Sequence, residues 1–314
     1  MTVAALFASH TPLKDYNDPG ADVAREVDEC LGALRAWVKD YAPDVVVSIG
    51  PDHYNGFFYR VMPSFCIGTA ATSVGDWNTP AGPLPVASAL AAACVEHVLA
   101  AGVDVAISHR MDVDHGVTQL ITQLFDWSQM PPIVPVFINC AAPPLPNLAR
   151  VFAFGRALGT FVAQQNCRVL ITASGGISHD PPIPQLANAP EPVRERLIAG
   201  GTLSAEGRAA RQQQVLNDTT QQIAGTSHRT PLNPVWDQAF LDMLLANDER
   251  GICALDDVGI TRDGGCGGHE IRAWIAAAAA ARAAGVQNFN LHYYRAIPQW
   301  VAGYAVMTAG RVAA

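Results

Sequence analysis

Basic charge is scarce in this chain of 314 residues. Only two lysines occur, Lys14 and Lys39, and no tract of lysine and arginine is present. Proteins that bind nucleic acid through its phosphates cluster such residues, whereas the net charge here is −8. The composition therefore argues against a nucleic-acid partner.

Long apolar stretches and paired cysteines are also missing. The longest apolar run, residues 273–281, falls well short of the roughly 20 residues that span a bilayer, so no membrane association is expected. The first residues, 1–8, lack the positive leader of a signal peptide. The seven cysteines form no CxxC pair. These features favour free thiols in a reducing cytoplasm.

Short β-branched runs alternate with Ala-rich amphipathic stretches in the first half of the chain. Strands are predicted at 3–9, 44–50, 64–69, 103–108, 133–138 and 168–173. Helices are predicted at 22–41, 85–101, 117–125 and 145–165. This alternation is typical of an α/β domain whose central sheet is mixed or largely parallel and is flanked by helices.

Beyond about Asp180, helices dominate the pattern, and a strand-like run is found only near the end, at 301–307. The predicted helices are 191–199, 205–223, 234–246 and 269–284. Because no repeat or low-complexity linker divides the chain, we expect one catalytic domain over residues 1–314 with a helical insertion in its C-terminal half. Four arginines are predicted on solvated helix faces or in local ion pairs: Arg194, Arg196, Arg208 and Arg211.

Five short segments bear histidine or glutamate, and most of them end or flank predicted strands. They are 9–12, 51–55, 113–116, 176–180 and 268–271. Ligands of open α/β sheets collect at the carboxyl ends of strands, so these segments are expected to converge. Two imidazoles and one carboxylate can hold a divalent metal and leave positions open, as in non-haem Fe(II) oxygenases. Two further histidines would remain for proton transfer.

Taken singly, each segment has an ordinary structural interpretation. Asp52 either orients His53 through a hydrogen bond or forms a turn. Glu270 begins an Ala-rich helix, whose dipole favours a carboxylate in any case. Asp114 precedes His115 and would raise its basicity, yet a histidine in such a loop is often only solvated.

The ordered set SHTPL, PDHYNGFFY, DVDHG, SGGISHDPP and HEIRAW resembles the class III extradiol ring-cleavage dioxygenases over nearly the full chain. The resemblance implies that His10, His53 and Glu270 bind Fe(II). It also implies that His115 and His179 serve acid–base catalysis while a catechol and O2 react to give a hydroxy-oxo-dienoate, in the catabolism of aromatic compounds. We prefer His179 as the base and His115 as the acid, an assignment that stays open.

Within the family, the resemblance points to catechols that carry a propionate side chain. A bidentate arginine contact would suit that carboxylate, and four basic residues are candidates for it: Lys14, Arg110, Arg262 and Arg295. Taken singly, each of them is more simply interpreted as an ordinary surface charge. No nucleotide, flavin or haem is expected. The apolar Ala-rich helices are compatible with subunit packing, and we expect a homo-oligomer.

Two other functions fit parts of the same pattern. One is a non-catalytic binding protein on the same fold, similar to the Memo-like relatives of these dioxygenases. The other is a zinc hydrolase that uses His10, His53 and Glu270 around an activated water. Oxygen consumption and metal identity distinguish both from the dioxygenase.

Overall fold

The computed structural model describes residues 3–310. Its strands are β1 (Val3–Ala8), β2 (Val45–Gly50), β3 (Phe65–Gly68), β4 (Ala71–Val74), β5 (Ala81–Pro83), β6 (Ala106–Ser108), β7 (Met111–Val113), β8 (Ile133–Ile138), β9 (Val169–Ser174), β10 (Phe289–Ile297) and β11 (Ala302–Ala309). Its helices are α1 (Ala21–Tyr41), α2 (Ser88–Ala100), α3 (His115–Leu124), α4 (Leu148–Ala163), α5 (Glu191–Ala199), α6 (Ala205–Ile223), α7 (Pro234–Ala246), α8 (Glu249–Cys253), α9 (Asp257–Gly264) and α10 (Ile271–Ala283).

A large mixed sheet forms the centre of the molecule. Its strand order is β10-β11-β1-β9-β2-β8-β3-β6. Strands β1, β9, β2 and β8 are parallel neighbours, whereas β11 and β10 extend one side with antiparallel pairing. The predicted mixed central sheet is therefore confirmed.

The central strands are buried along their whole length. The sequences VAALFA, VVVSIG, IVPVFI and VLITAS show no exposed position. Alternate residues of β1 enter two different cores: Ala5 and Phe7 pack in the core with α2, α4 and α10, and Leu6 packs in the core with α1 and α3. Near-continuous apolar runs are expected where helices cover both faces of a sheet.

Helices α4 and α10 approach each other unusually closely. A Cβ atom at Gly155 would lie 2.8 Å from the Cβ of Ala279, and one at Gly159 would lie 2.7 Å from the Cβ of Ala283. The same added atoms would also collide with the carbonyl oxygens of Ala276 and Ala280. The two glycines, spaced by four residues, thus set the distance between the helices.

A second, three-stranded sheet has the order β5-β4-β7. Its strands are only three or four residues long and were not predicted, nor were α8 and α9. The predicted strand at 103–108 is reduced to β6, and the predicted helix at 85–101 begins only at Ser88.

The helical insertion predicted for the C-terminal half is confirmed, with α5 to α9 lying between β9 and α10. Within residues 3–310, no helix combines the length and apolarity that crossing a membrane requires.

Replacing Gly155 with alanine should destabilise the fold by about 1–3 kcal/mol, because the new methyl group has no space between α4 and α10. Urea unfolding would measure the loss. Gly32→Ala is the matched control, since its added Cβ would meet only the Arg35 side chain at 3.8 Å and alanine favours a helix interior by about 0.5–1 kcal/mol. Equal stability of the two variants would contradict this account.

Candidate active site

Three of the predicted histidines follow neighbouring parallel strands and lie at one edge of the sheet. His10 follows β1, His53 follows β2 and His179 lies beyond β9, and β9 pairs with both other strands. His115 joins them as the first residue of α3. The structure therefore brings together histidines that lie up to 169 residues apart in sequence (179 − 10).

The carboxylate of Glu270 lies among these histidines. Glu270 ends a short 3-10 turn at Gly267–Glu270 and immediately precedes α10. Its Oε1 atom is 3.1 Å from His53 Nε2 and 3.3 Å from His179 Nε2. Its Oε2 atom is 3.6 Å from His10 Nε2 and accepts a hydrogen bond from the Gly176 amide. We call this group of Glu270, His10, His53, His115 and His179 the His–Glu cluster.

His115 also packs directly against His10 and His53. Its ring stacks on His53 with centroids 4.3 Å apart and meets His10 edge-on at 5.3 Å. Ligand atoms of His10, His53 and His115 all lie within 4.8 Å of one another. Geometry alone thus offers two candidates, Glu270 and His115, for the third ligand of a metal bound by His10 and His53.

Electrostatic interactions in the cluster are strong because it is buried. Burial lowers the pKa of His10 to about 3, which keeps its imidazole neutral. Burial alone would raise the pKa of the Glu270 carboxyl, but His179, His10 and His53 hold it well below its usual range. Burial opposes charge on His53 as well, yet Asp114 and Glu270 raise its pKa. The carboxylate therefore stays ionised and attracts positive charge.

Two buried aspartates orient two of the histidines. Asp114 Oδ2 accepts from the backbone amide and from the Nδ1 of His53, at 2.8 and 3.2 Å. Asp76 accepts from the backbone amide and from the Nδ1 of His115, at 2.8 and 2.6 Å. With both Nδ1 atoms engaged, the Nε2 atom of each ring is left to face the cluster. Such carboxylate–histidine pairs are usual around protein metals.

The partners of these histidines differ from those expected from the sequence. The neighbouring Asp114 does not bind the His115 ring; it caps α3 through the Gly116 amide and binds His53 instead. Asp52 does not orient His53 either. It accepts from the amides of Gly56 and of residues 55 and 57, so the turn interpretation of Asp52 is the correct one.

The loop after β9 packs closely around the imidazole of His179. A Cβ atom at Gly176 would lie 2.7 Å from the imidazole of His179, and one at Gly267 would collide with its Nε2. The adjoining Ser178 donates its amide and its hydroxyl to the buried Asp237. The His179 Nδ1 donates to the carbonyl of Ile177 at 3.2 Å. Two glycines and one buried carboxylate thereby fix the imidazole.

A pocket with about 870 Å³ of empty space opens onto the cluster. Its walls include four cluster histidines, Trp77, Trp300, Pro181 and Ile183, and one side of α6. Arg208 and Arg211 of α6 line it as well, so their predicted place on a solvated helix face is wrong. Aromatic and aliphatic walls beside a few convergent polar groups suit a small substituted aromatic ligand.

The four basic residues expected to bind a substrate carboxylate do not line this pocket. Lys14 pairs with Asp28, Arg262 with Asp263, and Arg295 with Glu26. The side chain of Arg110 is exposed. These candidates are therefore wrong, because three of them pair with carboxylates elsewhere and Arg110 lies exposed outside the pocket.

Known proteins resemble this chain over almost its entire length. Residues 4–306 match the model of the LigB family, described as the catalytic LigB subunit of aromatic ring-opening dioxygenase. The chain belongs to this family. A solved structure of an uncharacterized protein from Escherichia coli K12 has the same fold, with a TM-score of 0.54 at 16% identity over 97% of this chain and 98% of that one.

Several curated relatives carry the name 2,3-dihydroxyphenylpropionate/2,3-dihydroxicinnamic acid 1,2-dioxygenase. The protein from Cupriavidus pinatubonensis is 49% identical over 96% of both chains. That from Paraburkholderia xenovorans is 48% identical over 100% of this chain and 99% of its own. The similarity to 2,3-dihydroxyphenylpropionate 1,2-dioxygenases (3-carboxyethylcatechol 2,3-dioxygenases) that the motifs predict is confirmed, and this LigB-family chain is a ring-opening dioxygenase.

Sequence reasoning missed several residues that shape the site. Asp76 follows a strand too short to predict, and it precedes its partner His115 by 39 residues. Asp237 lies in a helix of the insertion with no local motif around it. Asp114 is the exception, because it directly precedes His115 in the sequence. That position predicts His115 as its partner, whereas the structure pairs Asp114 with His53.

Converting Asp114 to asparagine should weaken binding of a divalent metal about 10- to 100-fold, because the His53 ring loses the carboxylate that orients it. Asparagine still caps a helix well, so α3 should be retained. Anaerobic competition against a chromogenic chelator would measure the affinity. The exposed Asp112 provides a matched control, Asp112→Asn. Affinity that is unchanged in both variants would refute the orienting role.

Proposed function

We propose that this LigB-family chain is an Fe(II)-dependent extradiol dioxygenase that opens the ring of 2,3-dihydroxyphenylpropionate with O2. His10, His53 and Glu270 hold the iron. The observation that carries the proposal is a buried carboxylate facing three imidazoles at the base of an open pocket. The names of the curated relatives support the choice of substrate.

The cluster suits a divalent cation because its buried carboxylate faces only imidazole groups, which are themselves metal ligands. Glu270 is 2% exposed, and within residues 3–310 its only ion-pair partners are histidines. A buried carboxylate is costly unless a positive charge meets it. Two neutral imidazoles and one carboxylate leave further positions open on Fe(II).

We favour Glu270 over His115 as the third ligand. Glu270 contributes the negative charge that a divalent cation requires, and both of its oxygens face ring nitrogens of the cluster. Asp76 holds the Nδ1 of His115 as Asp114 holds that of His53, so this pairing does not separate the candidates. His115 brings no negative charge, and its ring lies edge-on to Trp77 at 6.3 Å in the wall of the pocket. We therefore assign His115 to proton transfer beside the substrate.

His179 and His115 act as the proton-transfer groups in this proposal. His179 is the most accessible histidine of the cluster, with its side chain 11% exposed, and its Nδ1–H donates to a carbonyl. Its Nε2 lies 3.3 Å from Glu270 Oε1 and would accept the proton of a catechol hydroxyl once that carboxylate binds the metal. The Asp76 carboxylate holds the Nδ1 of His115 at 2.6 Å, which leaves its Nε2 to deliver a proton during ring opening.

Iron held by His10, His53 and Glu270 would supply the electron transfer that makes O2 reactive towards the ring. The protein contributes the orientation of the reacting groups. Both oxygen atoms enter the product, a hydroxy-oxo-dienoate, because the enzyme is a dioxygenase.

We propose a single catalytic domain, since residues from His10 to Glu270 meet at one site. Seven free cysteines fit a reducing cytoplasm. A homo-oligomer stays a prediction.

Anaerobically Fe(II)-loaded protein should consume one equivalent of O2 per 2,3-dihydroxyphenylpropionate and form a yellow ring-opened product. An oxygen electrode and visible absorbance would follow both. Absence of uptake despite bound iron, over a panel of catechols, would refute the proposal. Oxygen-independent turnover with Zn(II) alone would instead indicate the hydrolase.

His115→Gln and His179→Gln should each reduce turnover about 100-fold or more, in keeping with loss of acid–base catalysis, and should retain near-stoichiometric Fe(II). Glu270→Gln should lose most of the iron. Metal analysis and oxygen uptake on the same samples separate these effects. Equal loss of iron in all three variants would contradict the assigned roles, and loss confined to His115→Gln would identify His115 as the third ligand.

A further inference from the structure

One side of α6 forms a wall of the active-site pocket. Each of its pocket-lining residues lies three or four positions from another, the spacing of a single helix face. They are Arg208, Arg211, Gln212, Val215, Thr219 and Gln222. Most of the remaining positions of α6 are exposed. The helix thus presents a mainly polar stripe to a pocket whose other walls include tryptophan, proline and isoleucine side chains.

The two arginines of this stripe have unused hydrogen-bonding capacity. Arg208 Nη1 donates to the carbonyl of Val74, and Arg211 Nη2 donates to the carbonyl of His53, both at 2.6 Å. A guanidinium has five N–H donors in a fork that matches a carboxylate. Within residues 3–310, the arginines that form ion pairs with carboxylates do not include Arg208 or Arg211. Both retain positive charge and free donors.

The carbonyl contacts fix both guanidinium groups beside the His–Glu cluster. Val74 ends β4, two residues before Asp76, the partner of His115. His53 is itself a member of the cluster. Both arginines and the cluster histidines line the same pocket. A ligand that contacts the histidines therefore lies within a cavity that already holds two oriented positive charges.

We propose that Arg208 and Arg211 bind the side-chain carboxylate of the substrate. This inference rests on the proposed function and names the residues that select an acidic catechol over a neutral one. Arginine–carboxylate pairs are charge-assisted and often bidentate, and their strength increases where a pocket excludes water. A backbone carbonyl already accepts one hydrogen bond from each arginine, so a neutral ligand can also occupy the pocket. A neutral ligand gains no electrostatic attraction from the two charges.

The test compares 2,3-dihydroxyphenylpropionate with 3-propylcatechol, a neutral compound of similar length. In Arg208→Gln and Arg211→Gln, the ratio of kcat/KM for the acid to kcat/KM for propylcatechol should fall about 10- to 100-fold, as expected for loss of a charged hydrogen bond. The change should appear mainly in KM of the acid. Arg208→Lys and Arg211→Lys, which keep the charge, should restore part of the ratio.

Arg194→Gln is the matched control, because Arg194 is exposed on α5 and does not line the pocket; its ratio should equal that of the unmodified chain. Thermal unfolding checks that each variant is folded. If both substrates lose activity equally, the arginines only hold α6 over the site and the inference is wrong. An unchanged ratio in both glutamine variants overturns it as well.

A binding measurement separates this inference from the proposed function. Calorimetry on iron-free protein with 3-phenylpropionate, which has no catechol hydroxyls, needs no turnover. Its affinity should fall about tenfold or more in the glutamine variants, and 3-phenyl-1-propanol should bind alike to all forms. This result supports the two arginines even if neither catechol is cleaved. Equal affinity of 3-phenylpropionate for all forms overturns the inference even if the acid is a substrate.

Discussion

The buried carboxylate of Glu270 is the constraint on which the site depends. Removing an ionised carboxylate from water costs several kcal/mol unless a positive charge and hydrogen bonds replace hydration. Within residues 3–310, neither lysine nor arginine pairs with Glu270, and only the Gly176 amide and three imidazoles approach it. An imidazole is neutral or cationic according to its surroundings, so the three rings do not supply a fixed positive charge. A divalent cation bound among them would balance the charge of the buried carboxylate.

The fold supplies this arrangement from rigid elements rather than from a flexible loop. Three histidines follow neighbouring parallel strands, and the glutamate precedes the first turn of α10. That helix is tightly held against α4 by close contact at Gly155 and Gly159. Aspartates after β4 and β7 then fix two imidazole rings. Core packing and ligand geometry are thus linked through the same secondary structures.

The sequence predicts the large features of the fold because they rest on long, regular patterns. The buried strands of the central sheet are continuous apolar runs, and most helices are recognised within a few residues. The second sheet escapes prediction, since strands of three or four residues such as β7 are too short to show a period. Only tertiary structure shows that Asp76 serves His115.

The histidines and Glu270 are recognisable together because their ordered motifs resemble a family, although none would stand out singly. Arg208 and Arg211, by contrast, are not recognisable from the sequence as residues of the site. A polar helix usually faces solvent, and this pattern favours an exposed position for both. Their actual position depends on how the helical insertion packs over the sheet edge, which local sequence does not encode. The walls of the pocket are therefore harder to predict than its base.

An anaerobic crystal structure of the Fe(II)-loaded protein with 2,3-dihydroxyphenylpropionate bound would test the central claim most directly. The account predicts iron bonded to His10 Nε2, His53 Nε2 and the Glu270 carboxylate, with both catechol oxygens on the metal and His115 and His179 uncoordinated beside the ring. Iron bonded to His115 with Glu270 unligated, or iron bound away from this cluster, would contradict it.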